Sequence, residues 1–325
     1  MKRLLPLVLL FSLAGPACAF LFGGVSDKKA AAMLDGMRAA FERGDCASAL
    51  EISDSFLGEK PPAGLREEAY GYMGRCYERQ GLADKAISLY KLALGLYPDN
   101  ALFALRLGVI YNQAGFAGDA VPLFIKVLDR RSDDVEANLG LARAYASLGF
   151  YAKAKVFYSR AVVLQDFSDA AVLKEYVFWM LRKRDWDEAL FIAGKGARTA
   201  PGWPDWALAQ ARAAAGRGDY AGAVAAMDGA IARENSRRLR LERALYLLLS
   251  GAGRRAADAA DAELAAGAAD PLAALVKGMA LYSLGDKDAA APYFSSARAG
   301  EPFTAALAGA FLAPAAAKPA EVCGK

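Results

Sequence analysis

Along residues 67–100, apolar and small side chains recur twice at helical spacing, with a polar gap between the two sets. Tyr70, Met73, Gly74 and Tyr77 are three or four residues apart and so fall on one face of a helix. Gly81 marks a turn, and Ala86, Tyr90 and Ala93 define a second helix. Pro98 ends that helix, because proline lacks an N–H and disfavours a helical residue before it. Gly74 and Ala86 are small where two helices must approach closely, and the aromatics fill the space around them. Such a pair has an apolar face on each side and cannot bury both alone. The pattern therefore predicts that it stacks on further copies of itself.

The copies are present. Residues 101–134 carry Ala104, Leu107, Gly108 and Tyr111, then Gly115, then Ala120, Phe124 and Val127. Residues 135–168 carry Leu141, Ala142, Tyr145, Gly149, Ala154, Tyr158 and Ala161. Both follow 67–100 without insertion. Residues 30–63 form a weaker first copy, separated from the next by Pro61-Pro62 and neighbours. Residues 169–203 continue the phase with one extra residue, placed near Arg182-Lys183-Arg184-Asp185. An alanine-rich copy, 204–237, precedes a degenerate one at 238–270, whose register is open, and 271–304 restores the pattern. Pro122 and Pro292 fall at matching points near the start of a second helix, where a missing N–H should cost little.

The 34-residue period, the helix–turn–helix layout and the small and aromatic positions resemble the tetratricopeptide repeat (TPR) family. That resemblance covers about residues 30–313. It implies an all-α, right-handed superhelical solenoid of about eight helix pairs, with the first helix of each pair lining a concave face. A capping helix at 305–313 and a disordered tail at 314–325 complete the expected layout.

The N-terminal residues read as a targeting segment. Lys2 and Arg3 precede an apolar run at 4–14, shorter than the about 20 residues a membrane span needs, and Ala17-Cys18-Ala19 fits a signal cleavage site. On this reading 1–19 is removed, the mature chain begins at Phe20, and 20–29 is a lead-in. The alternative is a lipoprotein signal acylated at Cys18, although Gly15-Pro16-Ala17-Cys18 is a poor match to the usual pattern. Either way the expected address is the bacterial cell envelope, the periplasm first and the outer membrane as a lipoprotein second.

Export changes how the cysteines read. Cys46 and Cys76 fall near the same end of neighbouring helices, and the expectation carried forward is a disulfide between them. On the chain-entropy model it would be worth roughly 3–4 kcal/mol. Two buried free thiols are the alternative. Cys323 is left without a mate.

The chain has no histidine, which removes Ser-His-Asp and Cys-His nucleophiles and the commonest transition-metal ligand. It has no closely spaced cysteine pair and no GxxxxGK[ST] loop. Acidic sites such as Asp133-Asp134 and Asp258 with Asp261 sit in turns or on solvated faces. No enzyme activity and no cofactor are expected. A net charge of +4, from 40 basic and 36 acidic residues without a basic tail, gives no reason to expect nucleic acid.

The expected partner is a protein or an extended peptide. In the family, contacts to peptides come from fixed positions on the first helices, including the residue after the small one. Here that position reads Arg38, Arg75, Val109, Arg143, Val177, Arg212, Tyr246 and Met279. The resemblance thus implies that Arg38, Arg75, Arg143 and Arg212 line one groove and pair with carboxylates of an extended peptide or with an anionic glycan, unless Glu42, Glu68, Glu78 and Glu136 neutralise them locally. Leu105, Leu139 and Leu173 are expected as apolar contacts beside them, with Leu102, Met180, Leu208 and Leu275. Trp203 and Trp206, at a junction between repeats, serve either as partner anchors or as packing over that junction. A membrane enters only through a lipidated Cys18 or a partner. A membrane-tethered assembly factor of a pilus, secretion or polysaccharide-export system is the alternative function; an enzyme with a carboxylate site ranks last.

Overall fold

The computed structural model describes residues 19–312 apart from Pro204 and residues 267–269, with side chains from Asp27 onward. The expected targeting segment, Cys18, the tail and Cys323 lie outside the described residues. Every regular element among the described residues is an α-helix, and there are seventeen. They belong to two compact units, and the chain passes from one to the other between Leu164 and Gln165.

The first unit holds α1 (Ala19–Glu42), α2 (Cys46–Gly58), α3 (Ala63–Arg79), α4 (Ala83–Leu96), α5 (Ala101–Gln113), α6 (Ala117–Leu128), α7 (Val135–Ser147) and α8 (Tyr151–Leu164). The second holds α9 (Ala170–Lys183), α10 (Trp186–Thr199), α11 (Asp205–Gly216), α12 (Tyr220–Arg233), α13 (Arg237–Leu249), α14 (Gly253–Ala265), α15 (Pro271–Ser283), α16 (Lys287–Ala297) and α17 (Pro302–Leu312). Within each unit, successive helices pack on one another, as the eight expected pairs and a cap require.

The turn inside each pair fixes the register. Gly44, Gly81, Gly115, Gly149, Gly218, Gly251 and Gly285 all have φ between 72° and 92°, a conformation that glycine adopts without a Cβ penalty. Gly251 thereby settles the open register of the degenerate copy. In the remaining pair the same conformation falls on Arg184, φ 60°. Aspartate and asparagine caps begin many helices: the side chains of Asn100, Asp134, Asp169 and Asp270 accept backbone N–H bonds at the starts of α5, α7, α9 and α15.

Three expectations change. First, α1 begins at Ala19, so the expected lead-in at 20–29 is helix. Second, the extra residue of the fifth pair is not near Arg184. From Arg184 back to the start of α9 the spacing equals that from Gly149 back to the start of α7. The insertion therefore lies between α8 and α9, where Asp166 and Phe167 take φ of 47° and 55°. Third, Pro122 and Pro292 are each the sixth residue of their helices. That is beyond the four N–H groups that lack helical partners, so each proline removes one helical hydrogen bond. Their shared position still marks equivalent points.

Glycine on a first helix admits an aromatic ring from a second one. A β-carbon on Gly74 would stand 2.3 Å from the Tyr90 ring, and one on Gly278 2.8 Å from Phe294. Tyr90, Phe124 and Phe294 are all buried. At the end of the second unit, Phe311 of α17 stacks on Phe294 with centroids 4.7 Å apart, so α17 covers the last pair as a cap should.

Candidate functional site

With the turn residues as reference, the proposed arginine strip lies six residues before each of them: Arg38, Arg75, Val109, Arg143, then Phe178 rather than Val177, and Arg212. Val177 is fully buried in α9, because the insertion sits before that helix and shifts the face by one residue. Tyr246, also assigned to the strip, is buried as well.

The arginines at this register do not form one uniform strip. Arg38 donates from Nη2 to Glu68 Oε1 at 2.7 Å, from Nη1 to Asp35 at 3.1 Å and from Nε to the Tyr72 hydroxyl at 2.9 Å. Arg212 makes a two-pronged pair with Glu242, Nε to Oε1 at 2.9 Å and Nη2 to Oε2 at 3.0 Å. Burial pushes the Glu242 carboxyl up, but the hydrogen bond and charge of Arg212, with the Tyr246 hydroxyl, outweigh it and hold the group below its ordinary range. Arg143 is exposed on α7 and also engaged. Arg106, outside the strip, pairs with Glu78 and, through Nη1 at 3.0 Å, with Glu136.

Three of these pairs share a spacing. Arg38–Glu68, Arg106–Glu136 and Arg212–Glu242 each join residues 30 apart, from one first helix to the next.

Arg75 differs. Its Nε donates to the Gly71 carbonyl at 3.1 Å, and its guanidinium lies 4.4 Å from the Phe41 ring centroid and 5.0 Å from that of Tyr72. Arg79, one turn on, lies 3.8 Å from the Phe41 centroid and donates to the Phe41 carbonyl at 2.8 Å. Helix α3 thus carries three arginines and three glutamates with unlike partners. Its glutamates are all engaged: Glu67 accepts from Asn100 at 2.7 Å, Glu68 from Arg38 and the Tyr72 hydroxyl, and Glu78 from Arg106 and the Tyr90 hydroxyl. Its arginines have neutral partners. Arg66 donates to the Tyr97 hydroxyl, and Arg75 and Arg79 rest on rings and carbonyls.

Two open pockets lie along this helix. One, about 290 Å³, lies between α3 and α5 and is lined by Glu67, Glu68, Gly71, Tyr72, Arg75 and Leu102. The other, about 470 Å³, is lined by Glu78, Arg79, Arg106, Ile110 and Gln113. Gly71 makes room for the first. Ten residues before the turn glycine, the neighbouring first helices carry Leu34, Leu105 and Leu139, all buried. A β-carbon on Gly71 would meet Leu102 at an ordinary 3.6 Å.

The leucines expected as ligand contacts are corrected by burial. Leu105 is 6% exposed, Leu139 8% and Leu173 0%, so all three serve packing between helices. Met180 and Leu275 are buried too, whereas Leu102 is exposed and Leu208 half-buried. Trp206 is core: its ring occupies the space beside Gly196, and its Nε1 donates to the Ala200 carbonyl. Trp203 is half-buried, edge-on to Trp206 at 4.5 Å, with Lys174 Nζ 3.4 Å from its ring centroid.

Cys46 and Cys76 are brought together, as predicted, but as two buried thiols and not a disulfide. Burial, then the hydrogen bond with Cys46, pushes the Cys76 thiol up to about 12. Among the described residues no group of three or more cysteines and carboxylates is placed to hold a metal, and no helix is long and apolar enough to cross a membrane.

The sequence singles out Arg75 as a candidate and gives no such mark to Gly71, Phe41 or Arg79. The signal for Gly71 was available, since a glycine there breaks a run of leucines at one register.

The tetratricopeptide repeat family profile matches residues 34–101 and 104–171. No curated protein matches the chain. Among solved structures, a tetratricopeptide repeat protein from Parabacteroides merdae is 17% identical with a TM-score of 0.52, covering 78% of this chain and 99% of its own. PilW, a widely conserved type IV pilus biogenesis factor, is 18% identical with a TM-score of 0.52, covering 65% of this chain and 96% of its own. These likenesses are of fold.

Proposed function

This chain belongs to the tetratricopeptide repeat family, and from that premise we propose that it is a non-catalytic scaffold of the cell envelope that holds a protein or extended peptide along its first helices. The observation that carries the reading is the pair of open pockets along α3, bordered by half-buried and exposed side chains rather than sealed by packing. Extended peptides need such a row of shallow subsites, with a few fixed polar groups to set register.

The experiment is site-specific photo-crosslinking in envelope extract. A crosslinker at Leu102, on a first helix, should capture a partner that one at Leu92, exposed on the second helix α4, does not. Equal capture from both positions, or none from Leu102, would count against the reading.

The second reading is a membrane-tethered assembly factor of a pilus, secretion or polysaccharide-export system. It rests on Cys18 and on the shared fold with PilW. The mass of the mature N-terminus separates the two: a start at Phe20 supports the soluble scaffold, an acylated Cys18 the tethered one.

A further inference from the structure

We propose that the two pockets along α3 read an extended peptide that carries acidic side chains at alternate positions, one carboxylate meeting Arg75 and the next meeting Arg79. This rests on the reading of the first helices as a peptide-holding face, and it names what that face selects.

Charge comes first. Many arginines of this chain already have carboxylates, including Arg38, Arg106, Arg212 and Arg240. On α3, Glu68 and Glu78 pair with arginines of other helices and Glu67 with the neutral Asn100 amide, while the three arginines are matched with neutral groups. Arg75 and Arg79 therefore carry charges that no carboxylate of the chain meets directly, even though Glu67 and Glu68 line the first pocket. Phe41 holds both guanidiniums in place through its ring, which leaves their N–H edges able to meet an anion.

Spacing comes second. Arg75 and Arg79 are four residues apart on one helix, a rise of about 6 Å. Alternate side chains of an extended peptide point the same way and are about 6.6 Å apart. A Glu-x-Glu segment running along α3 thus presents its carboxylates at the interval of the two arginines. Adjacent acids would point to opposite sides.

Room comes third. Arg75 borders the pocket that exists because Gly71 stands where Leu34, Leu105 and Leu139 stand elsewhere. Arg79 borders the second pocket, on the same helix. Ligand side chains can therefore enter beside both arginines without displacing core residues.

The test uses the full chain and three fluorescein-labelled alanine–serine nonapeptides, containing Glu-Ala-Glu, Glu-Glu or Gln-Ala-Gln, in anisotropy titrations. Glu-Ala-Glu should bind best. Arg75→Gln with Arg79→Gln should weaken it about tenfold or more, which is about 1.4 kcal/mol. Gly71→Leu, which installs the residue of the sibling helices and keeps both charges, should weaken it by a similar factor. Arg43→Gln, an exposed arginine elsewhere, should not. Circular dichroism melts confirm that each variant is folded. Wild-type protein that binds Glu-Ala-Glu no better than Gln-Ala-Gln overturns the proposal, as does unchanged affinity in both the arginine and the Gly71 variants. Either result leaves the crosslinking test of the scaffold itself untouched, so the two readings fail separately.

Discussion

The ring of Tyr90 lies where a β-carbon on Gly74 would stand, 2.3 Å from the ring's Cζ. The Tyr90 hydroxyl donates to Glu78 Oε1 at 2.6 Å, so the ring cannot swing aside without breaking a buried hydrogen bond. Gly74→Ala should therefore overpack the α3–α4 contact and destabilise by about 1–3 kcal/mol. Gly71→Ala, which meets only ordinary contacts, should be close to neutral. Urea denaturation of the two variants side by side checks the contrast.

Arg184 holds the left-handed turn conformation that glycine holds in the other pairs. Arg184→Gly should relieve that strain and stabilise by about 0.5–1 kcal/mol, even though glycine adds freedom to the unfolded chain. A raised melting temperature is the expected result.

The Glu242 carboxyl is held below its ordinary value of 4.5, because its bonds to Arg212 and Tyr246 outweigh burial. Glu263 is shifted the same way, chiefly by its hydrogen bond to Arg240 and against burial. A depressed carboxylate contributes stability above its unfolded pKa and loses it as pH falls through the folded one. Acidification below about pH 4.5 should thus weaken this part of the chain. Glu242→Gln should be less stable at neutral pH, by about 1–2 kcal/mol, and show a shallower loss on acidification. Denaturant midpoints across the acid range measure both effects.

The Cys46 and Cys76 thiols should react slowly with iodoacetamide in the native chain, since both are buried and the Cys76 thiol is pushed up to about 12. Unfolding without reductant should expose both to alkylation. Mass spectrometry gives the count; failure to label until a reductant is added would establish the disulfide in place of the thiol pair.

The repeat architecture was legible because its signals are local. Gly81, Gly115 and Gly149 stand at fixed intervals, and Tyr90 and Phe124 recur in phase with them. Where a turn carries arginine, the sequence has no glycine to anchor the register, and the extra residue reads as lying near Arg184 rather than in the Asp166–Phe167 link. That one-residue shift assigns the buried Val177, instead of Phe178, to the register of the arginine strip. The site was less legible because it depends on pairings across repeats. Periodicity places Arg38, Arg75 and Arg212 at one register, but only their neighbours decide which are already neutralised. Leu105 and Leu139 read as surface contacts until the packing of adjacent helices covered them.

The ion pairs that join residues 30 apart give the array an order. Arg38, Arg106 and Arg212 each belong to one unit of the period, while Glu68, Glu136 and Glu242 belong to the next. Units that look interchangeable by length are therefore not so: at three junctions one unit carries the arginine and the next the glutamate. Moving the unit that holds either partner elsewhere in the array would keep the repeat phase and still separate Arg38 from Glu68, Arg106 from Glu136 or Arg212 from Glu242. Sequence order is written into the scaffold electrostatically, and natural duplication of its units would have to respect it.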